Sequence, residues 1–228
     1  MKVSPHELKA MALFATCTPE TLTALGQSLC LETYPKGTVL FSDKQALERI
    51  YITYSGKFCI YKLTANNDRR IIFIKDTGTL LNDSIEPSKL SVIDCESFSE
   101  AQVLSISKQA FLNLMQQDFN LTLAVLNQYS GKLRKSYRQL KNALTTVSVD
   151  KKIVAKLYAL CRDFGRDIPE GVLIDMPLTV THLSEMLGAQ RETVSRLLKK
   201  LAQEQLLDYQ NKRLVVYDLE KMVQFYNK

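Results

Sequence analysis

"LTVTHLSEMLGAQRETVSRLLKKLAQEQLL", residues 178–207, decides how the whole chain is read. Two apolar patterns at helical spacing flank a single glycine. Before it, Leu183, Met186 and Leu187 follow Thr179, whose hydroxyl can cap a helix start by accepting a backbone N–H. After it, Val194, Leu197, Leu198 and Leu201 stand at i, i+3, i+4 and i+7, one face of a helix beginning near Arg191. Gly188 supplies the positive φ that a sharp turn between the two requires. Two short helices joined in this way form a helix-turn-helix, whose second helix enters the DNA major groove with its N-terminal residues toward the base edges. Glu192, Ser195, Arg196 and Lys199 occupy the face opposite the leucines, and Arg191 stands at its start. Arginine pairs with guanine O6 and N7, glutamate accepts from cytosine N4, and serine bonds a base or a phosphate, so these residue types suit direct readout. "LLDYQNKRLVVYD" (206–218) follows as a hairpin turning at Gln210 to Lys212, a wing beside the two helices. The competing reading of the polar face is a charged, solvated helix surface.

Charge weighs against that competitor. Residues 1–129 carry 12 Lys and Arg against 13 Asp and Glu, whereas residues 130–228 carry 18 against 11, so all the positive excess lies in the second part. A polyanion-binding domain joined to a neutral one has this asymmetry, and a membrane-surface domain would share it, so the motif chooses between them. The 228 residues exceed the usual ~100–150 of one domain and imply two. The first residues lack a basic leader followed by an apolar run, and no window approaches the ~18 apolar residues of a membrane helix. A cytoplasmic, globular protein without membrane contact is expected. The five scattered cysteines contain no CxxC, so neither a disulfide framework nor a zinc site is expected.

Upstream, the period changes. Helical segments at about Pro5 to Leu13 and Pro19 to Leu29 precede "KGTVLFSDKQALERIYITYSGKFCIYKL" (36–63). There β-branched and aromatic runs, Val39 to Phe41, Ile50 to Ile52 and Phe58 to Leu63, alternate with turn residues. "ANNDRR" (65–70) reads as a hairpin tip before "IIFIKDTG", and further strands are expected near Lys89 to Cys95 and Ala101 to Ile106. Seven or eight short strands in about 75 residues predict a β-sandwich or β-roll.

From Ser107 the pattern is helical again. Phe119, Leu126, Leu133, Leu140 and Val147 recur every seven residues, with Thr122, Tyr129, Ser136 and Ala143 expected at the second seam position. Such a helix either lies on its own β-domain or pairs with a second copy, and homodimerisation is the preferred reading. A further helix is expected over Asp150 to Phe164, closed by a left-handed cap at Gly165, then a Pro- and Gly-containing loop over Arg166 to Pro177. The hinge is placed around Leu144 to Asp150. The domains read as a sensor β-roll at 1–118, a dimerisation helix and hinge at 119–147, and a winged helix-turn-helix at 148–228.

Taken together, the chain resembles the CRP/FNR family of bacterial transcription regulators. "YPKGTVLFSDKQALERIYITYSGKFCIYKL" (34–63) is similar to that family's cyclic-nucleotide-binding-like β-roll, and residues 178–207 with the wing are similar to its DNA-binding domain. The resemblance implies an α+β fold: an N-terminal β-roll of double-stranded β-helix or jelly-roll type, a long dimerisation helix and a C-terminal winged helix-turn-helix. It implies a cytoplasmic homodimer reading an inverted repeat in double-stranded DNA, with RNA polymerase as a further partner. Arg191, Glu192, Ser195 and Arg196 fall on the family's base-contacting positions, and Thr179, Gln190 and Lys199 complete the candidate DNA contacts. The Glu-x-x-Ser-Arg pattern is similar to the subgroup reading TTGA-type half-sites, while Arg191 is similar to the cyclic-AMP receptor's choice; TGA is common to both. Gln190 departs from the family, which usually has Ser or Thr at that cap, and leaves the helix end to be completed by a phosphate.

The sensor region departs further. Family members that bind cyclic nucleotides hold the ribose with a Gly-Glu segment and the phosphate with an Arg followed by Ser or Thr. "KDTGTLLNDSIEPSKLSVIDCESFSEAQVLSI" (75–106) has no Gly-Glu and no arginine, and Lys89 is the one lysine between Lys75 and Lys108. A buried phosphate would be poorly compensated there, which argues against cyclic AMP. Cys17 and Cys30 lack the spacing for a cubane cluster, and His6 and His182 are unsuited to haem, so no cofactor or metal is expected. An apolar or anionic small molecule between the β-roll and the long helix, near Leu80, Leu81, Leu126 and Tyr129, is the expected effector. A redox switch at Cys59 or Cys95 and a ligand-independent regulator are the alternatives. The reading of a different class is a cyclic-nucleotide- or redox-responsive signalling module whose C-terminal helices bind protein. Catalysis is not expected: G-x-S-x-G, the P-loop and HExxH are all absent, and two histidines offer few general bases.

Overall fold

Short apolar alternations and capped helical runs follow one another along the chain. The computed structural model describes residues 3–144 and 148–227. Its contacts divide the chain into two compact units, one built from residues up to Lys62 and from Ile71 to Lys141, the other from Leu63–Arg70 and from Asn142 onward.

The first unit opens with α1 (Pro5–Lys9) and α2 (Pro19–Ser28), each begun by a hydroxyl cap, Ser4 or Thr18, ahead of a proline in the first turn. Seven strands follow: β1 (Cys30–Tyr34), β2 (Val39–Phe41), β3 (Arg49–Ser55), β4 (Phe58–Leu63), β5 (Arg69–Lys75), β6 (Asp94–Ser97) and β7 (Ala101–Ser107). They form two sheets, ordered β1-β7-β3 and β2-β6-β4-β5. The antiparallel register pairs Ile50 with Ile106 and Ile52 with Leu104 in the first sheet, and Ile60 with Cys95 in the second. Period-two alternation then builds two cores. Ile50, Ile52, Leu104 and Ile106 face the helices, joining Leu8, Phe14, Leu25 and Phe111. Ala101 and Val103 of the same β7 face the second sheet, with Phe41, Phe58, Ile60 and Cys95. Each fully buried Leu, Ile or Phe contributes about 1.5–3 kcal/mol.

The strand expected near Lys89 to Cys95 is displaced to Asp94–Ser97, with an isolated bridge from Leu90 to Ala46 before it. The Asp83 carboxylate accepts the Val92 N–H at 2.7 Å and the Ser91 hydroxyl at 3.3 Å, which holds that stretch out of the ladder. Strand β1 was not anticipated from sequence, where its polar residues obscure the alternation.

α3 (Lys108–Gln117) and α4 (Phe119–Leu144) close the unit. Asp118 between them accepts the Asn120 N–H at 2.9 Å, starting α4, and the Thr18 N–H at 2.9 Å, tying α4 to α2. Leu121 and Val125 are fully buried against the β-domain. Phe119, Leu126, Leu133 and Leu140 point the other way and are more than half exposed. One face of α4 therefore lies on the β-domain, and the seven-residue row is left exposed on another. The second seam differs from the expected one. Thr122 donates to the Met115 carbonyl and Tyr129 to the Asn82 carbonyl, so both turn toward their own unit. Leu123 and Tyr137 instead stand exposed beside the leucine row, one position later in the heptad. Ser136 is exposed. The orientation of Ala143 and the whole of Val147 lie outside the described residues.

The second unit runs α5 (Val149–Phe164), β8 (Gly165–Ile168), β9 (Gly171–Ile174), α6 (Val180–Leu187), α7 (Arg191–Gln203), β10 (Leu207–Gln210), β11 (Arg213–Val216) and α8 (Leu219–Asn227). Two expectations are corrected. Gly165 is extended, at φ −76° and ψ 144°, because β8 begins there. Glycine is needed for close approach instead: a Cβ would collide with the Cys161 carbonyl oxygen. The expected loop at Arg166 to Pro177 holds the β8–β9 hairpin, and β9 pairs with β11 to give the sheet β10-β11-β9-β8. That pairing partner lies some forty residues away, which local punctuation by Gly and Pro does not reveal. Helix α8 was also missed. Among the described residues, no helix is long and apolar enough to cross a membrane.

Candidate nucleic-acid interface

The site is built by two helices of the second unit and the strands beside them. Thr179 starts α6: its Oγ1 accepts the His182 N–H at 3.0 Å, and His182 Nδ1 accepts the Thr179 N–H at 3.3 Å. This reciprocal cap uses His182 where Glu or Gln is usual and directs the ring to the helix end rather than to solvent. Leu183 is fully buried, whereas Met186 and Leu187 are only half-buried. Gly188 adopts φ 64° and ψ 34° and ends the helix, with its N–H donating to the Ser184 carbonyl.

α7 then divides as its spacing requires. Val194, Leu197, Leu198 and Leu201 are at most 4% exposed. Arg191, Glu192, Arg196 and Lys199 are exposed on the other side and Ser195 is half-buried among them. These five line one shallow depression, together with Lys200 and Gln203. The last two were not singled out from sequence, although Lys200 lies four residues beyond Arg196 and Gln203 seven, the spacing that continues the same face. Arg191, Glu192, Arg196 and Lys199 form no ion pair or side-chain hydrogen bond among the described residues. Arg191, Arg196 and Lys199 thus keep donors that folding leaves unused.

Gln190 occupies the cap position of α7 and makes no capping hydrogen bond. The first N–H groups of that helix are therefore available to an anion, favoured further by the helix dipole. Gln190→Ser is expected to stabilise DNA-free protein by about 1 kcal/mol. Chemical denaturation followed through the second unit measures it; an unchanged midpoint would mean that the end is already satisfied.

The wing hairpin turns through Asn211 and Lys212, both at positive φ, 51° and 64°, as a two-residue type I′ turn demands. It exposes Lys212 and Arg213 at its tip. Two bonds hold the wing to the lead-in of α6: the Leu178 N–H donates to the Lys212 carbonyl at 3.0 Å, and the Tyr209 hydroxyl donates to the Leu178 carbonyl at 3.1 Å. Burial pushes the Tyr209 phenol up, against the pull of the Val180 backbone and of the nearby Arg191 charge. Arg191 therefore lies in the field of the wing strand.

The expected effector residues have different surroundings, although Tyr129 packs against the core that holds Leu80. Leu80 is fully buried among the helix-facing core and Leu81 between the sheets. Tyr129 is half-buried on Asn82, while Leu126 is in the exposed row of α4. Cys59 and Cys95 are fully buried, Cys17 is buried and Cys30 exposed. Burial, with the other thiol's charge next, pushes Cys95 up and makes it a poor thiolate.

Comparison with known proteins finds two family models that match separate parts of the chain. Residues 151–225 match the Crp-like helix-turn-helix domain, and residues 31–118 match the cyclic nucleotide-binding domain. The HTH-type transcriptional regulator ArcR of Staphylococcus aureus is 27% identical over 215 residues, covering 92% of this chain and 90% of that protein. Among solved structures, a CooA mutant from Carboxydothermus hydrogenoformans superposes with TM-score 0.74 at 18% identity, covering 89% of each chain. FixK2 from Bradyrhizobium japonicum gives TM-score 0.75 at 17% identity, over 86% of this chain and 96% of its own. At these identities the two structures are similar in fold.

Proposed function

Since the chain belongs to the CRP/FNR family of transcription regulators, a family of DNA-binding proteins and not of enzymes, we propose that it acts as a cytoplasmic homodimer reading an inverted repeat. α7 would lie in the major groove of each half-site, with Arg191, Glu192, Ser195 and Arg196 toward a TGA-containing sequence. Thr179, the open N-terminus of α7 at Gln190, and Lys199 would meet phosphates. The observation that carries this reading is the polar face of α7, where Arg191, Glu192, Arg196 and Lys199 stand exposed opposite a face of four buried aliphatic residues. The exposed row Phe119, Leu123, Leu126, Leu133, Tyr137 and Leu140 supports self-pairing of α4, because unpaired apolar rows of this length are rare on monomers. The functional divisions would be 1–118, 119–147 and 148–228, with RNA polymerase as the downstream partner.

Selection of bound duplexes from a random pool tests the reading. A palindrome with TGA arms is expected, and recovery of no common sequence would sink it. Lys199→Ala is expected to lower affinity for the selected site and for random duplex by the same factor. The slope of log K against log salt should fall by about 1. A loss confined to the selected site would make Lys199 a base reader.

The effector would be something other than cyclic AMP, since residues 75–106 hold no arginine for a cyclic phosphate. Calorimetric titration with cyclic AMP and cyclic GMP should show no tight binding. Tight binding would favour the reading as a cyclic-nucleotide-responsive module.

A further inference from the structure

Besides the chain from Asn142 onward, the second unit contains one other piece, Leu63–Arg70, the tip that joins β4 to β5. The tip is closed by its own bonds. The Thr64 N–H donates to the Asp68 carbonyl at 2.9 Å, the Asn67 N–H to the Thr64 carbonyl at 2.9 Å, and the Asp68 N–H to the Thr64 hydroxyl at 3.1 Å. Arg70 donates to the Arg69 carbonyl at 3.1 Å and pairs with the Asp68 carboxylate at 3.7 Å. Two arginines are thus presented on a preformed turn, and both meet the helix-turn-helix. Arg69 Nε lies 3.7 Å from Glu185 Oε2 on α6, and both atoms are closed off from water. Arg70 lies over the turn itself, where a Cβ on Gly188 would stand 3.3 Å from its Nε.

The C-terminal end of α6 has few other holds. Leu183 is buried, but Met186 and Leu187 beyond it are only half-buried. The last turn carries Glu185 and no basic residue, which sets a carboxylate against the negative end of the helix dipole. The Gly188 and Ala189 N–H groups bond the Ser184 carbonyl, and α7 then starts at Gln190 without a side-chain cap. This short segment sets the direction in which α7 leaves the turn. Arg69 offsets the Glu185 charge, and Arg70 brings a second cation to the same helix end. We propose that Arg69 is a positioning residue of the DNA reader. By holding Glu185 it fixes the end of α6, and with it the angle at which α7 presents Arg191, Glu192, Ser195 and Arg196. The proposal rests on the DNA-binding reading and extends its machinery to the β4–β5 tip.

Positioning and simple charge predict opposite signs for one substitution. Glu185→Gln removes a negative charge from the helix-turn-helix, which by itself strengthens binding to any polyanion. Loss of the tie acts differently. Bonds to base edges weaken steeply when their angle and distance change, whereas phosphate contacts carry no sequence information and tolerate a shifted helix. Affinity for the selected duplex should therefore fall while affinity for random duplex holds or rises.

The test is a double-mutant cycle on the full chain. Arg69→Met, Glu185→Gln and the double variant are titrated with the duplex selected from the random pool and with random duplex at fixed salt. Active protein is counted by stoichiometric titration, so a change of stability alone leaves the ratio of the two affinities where it was. Each single variant should lower that ratio roughly fivefold or more, and the double should lose no more than either, because all three delete one contact. Arg69→Lys keeps the charge without the planar fork, so it should restore random-duplex affinity and only part of the ratio. Amide exchange of the DNA-free protein reads the same tie without a duplex. The Gly188, Ala189 and Val194 N–H groups, each bonded to a backbone carbonyl in the parent, should exchange faster in both single variants. Single variants that keep the parent's ratio or its exchange rates, or losses that multiply in the double, overturn the proposal. A parent protein that selects no common duplex sinks the DNA-binding reading instead, and the exchange rates then decide for or against the tie.

Discussion

Arg196→Ala is expected to leave the fold untouched and to erase discrimination at one base pair in each half-site. Arg196 is exposed on α7, with no ion pair or side-chain hydrogen bond among the described residues, so its removal orphans no internal group. The cost therefore falls on the complex. A bidentate arginine–guanine pair discriminates by about 1–3 kcal/mol, and a symmetric dimer loses it twice, so affinity for the selected operator should fall by roughly two orders of magnitude or more. The measurement is a binding isotherm against the operator and its single-base variants at fixed salt. Variants at one symmetric position should become equivalent, while the others keep their ranking. Arg196→Lys separates charge from geometry: it retains the positive charge but loses the planar fork, so it should recover non-specific affinity and not discrimination. A variant that still ranks every operator mutant as the parent does would show that another residue reads the site.

The second large effect is expected from paired substitutions on α4. Leu126→Asp with Leu133→Asp places four carboxylates in the seam of a dimer and none in a monomer's core, because both leucines are more than half exposed. Sedimentation should give a folded species of single-chain mass. Operator affinity should fall by roughly 10²–10⁴, since the second half-site is no longer held at the effective concentration that linkage provides. The control is Leu121→Ala on the opposite face. Leu121 is fully buried, so this change should lower stability by about 2–5 kcal/mol and leave folded protein dimeric. A double variant that stays dimeric would remove α4 from the interface.

Much of this was legible from local pattern. The i, i+3, i+4, i+7 set Val194, Leu197, Leu198 and Leu201, the cap at Thr179 and the turn at Gly188 specify a buried helix face and its entry over distances of a few residues. The candidate DNA contacts follow because that face leaves a defined remainder. Features resting on remote partners were not legible. β8 and β9 become strands because β11 offers an edge to pair with, and Gly165 is required by the approach of Cys161 rather than by its own φ. The second row of α4 was misplaced by one residue because the seven-residue repeat fixes a period, not which neighbouring position faces solvent. Thr122 and Tyr129 are drawn inward by the Met115 and Asn82 carbonyls, which only the folded unit brings near.

The sequence alone therefore determined the class of the molecule. A strand-rich, near-neutral half joined by a heptad helix to a basic helix-turn-helix follows from periodicity, turn chemistry and charge count, all properties of short segments. The tertiary structure alone decided the setting of the titratable groups. A lysine in a sequence reads as a solvated surface charge, and nothing local to Lys75 or Lys132 departs from that. Both are held below the ordinary lysine range because the folded unit takes each ammonium group partly out of water and sets a second lysine near it, Lys135 for Lys75 and Lys75 for Lys132. Desolvation depends on everything that packs around a group, and so it appears only once the chain has folded.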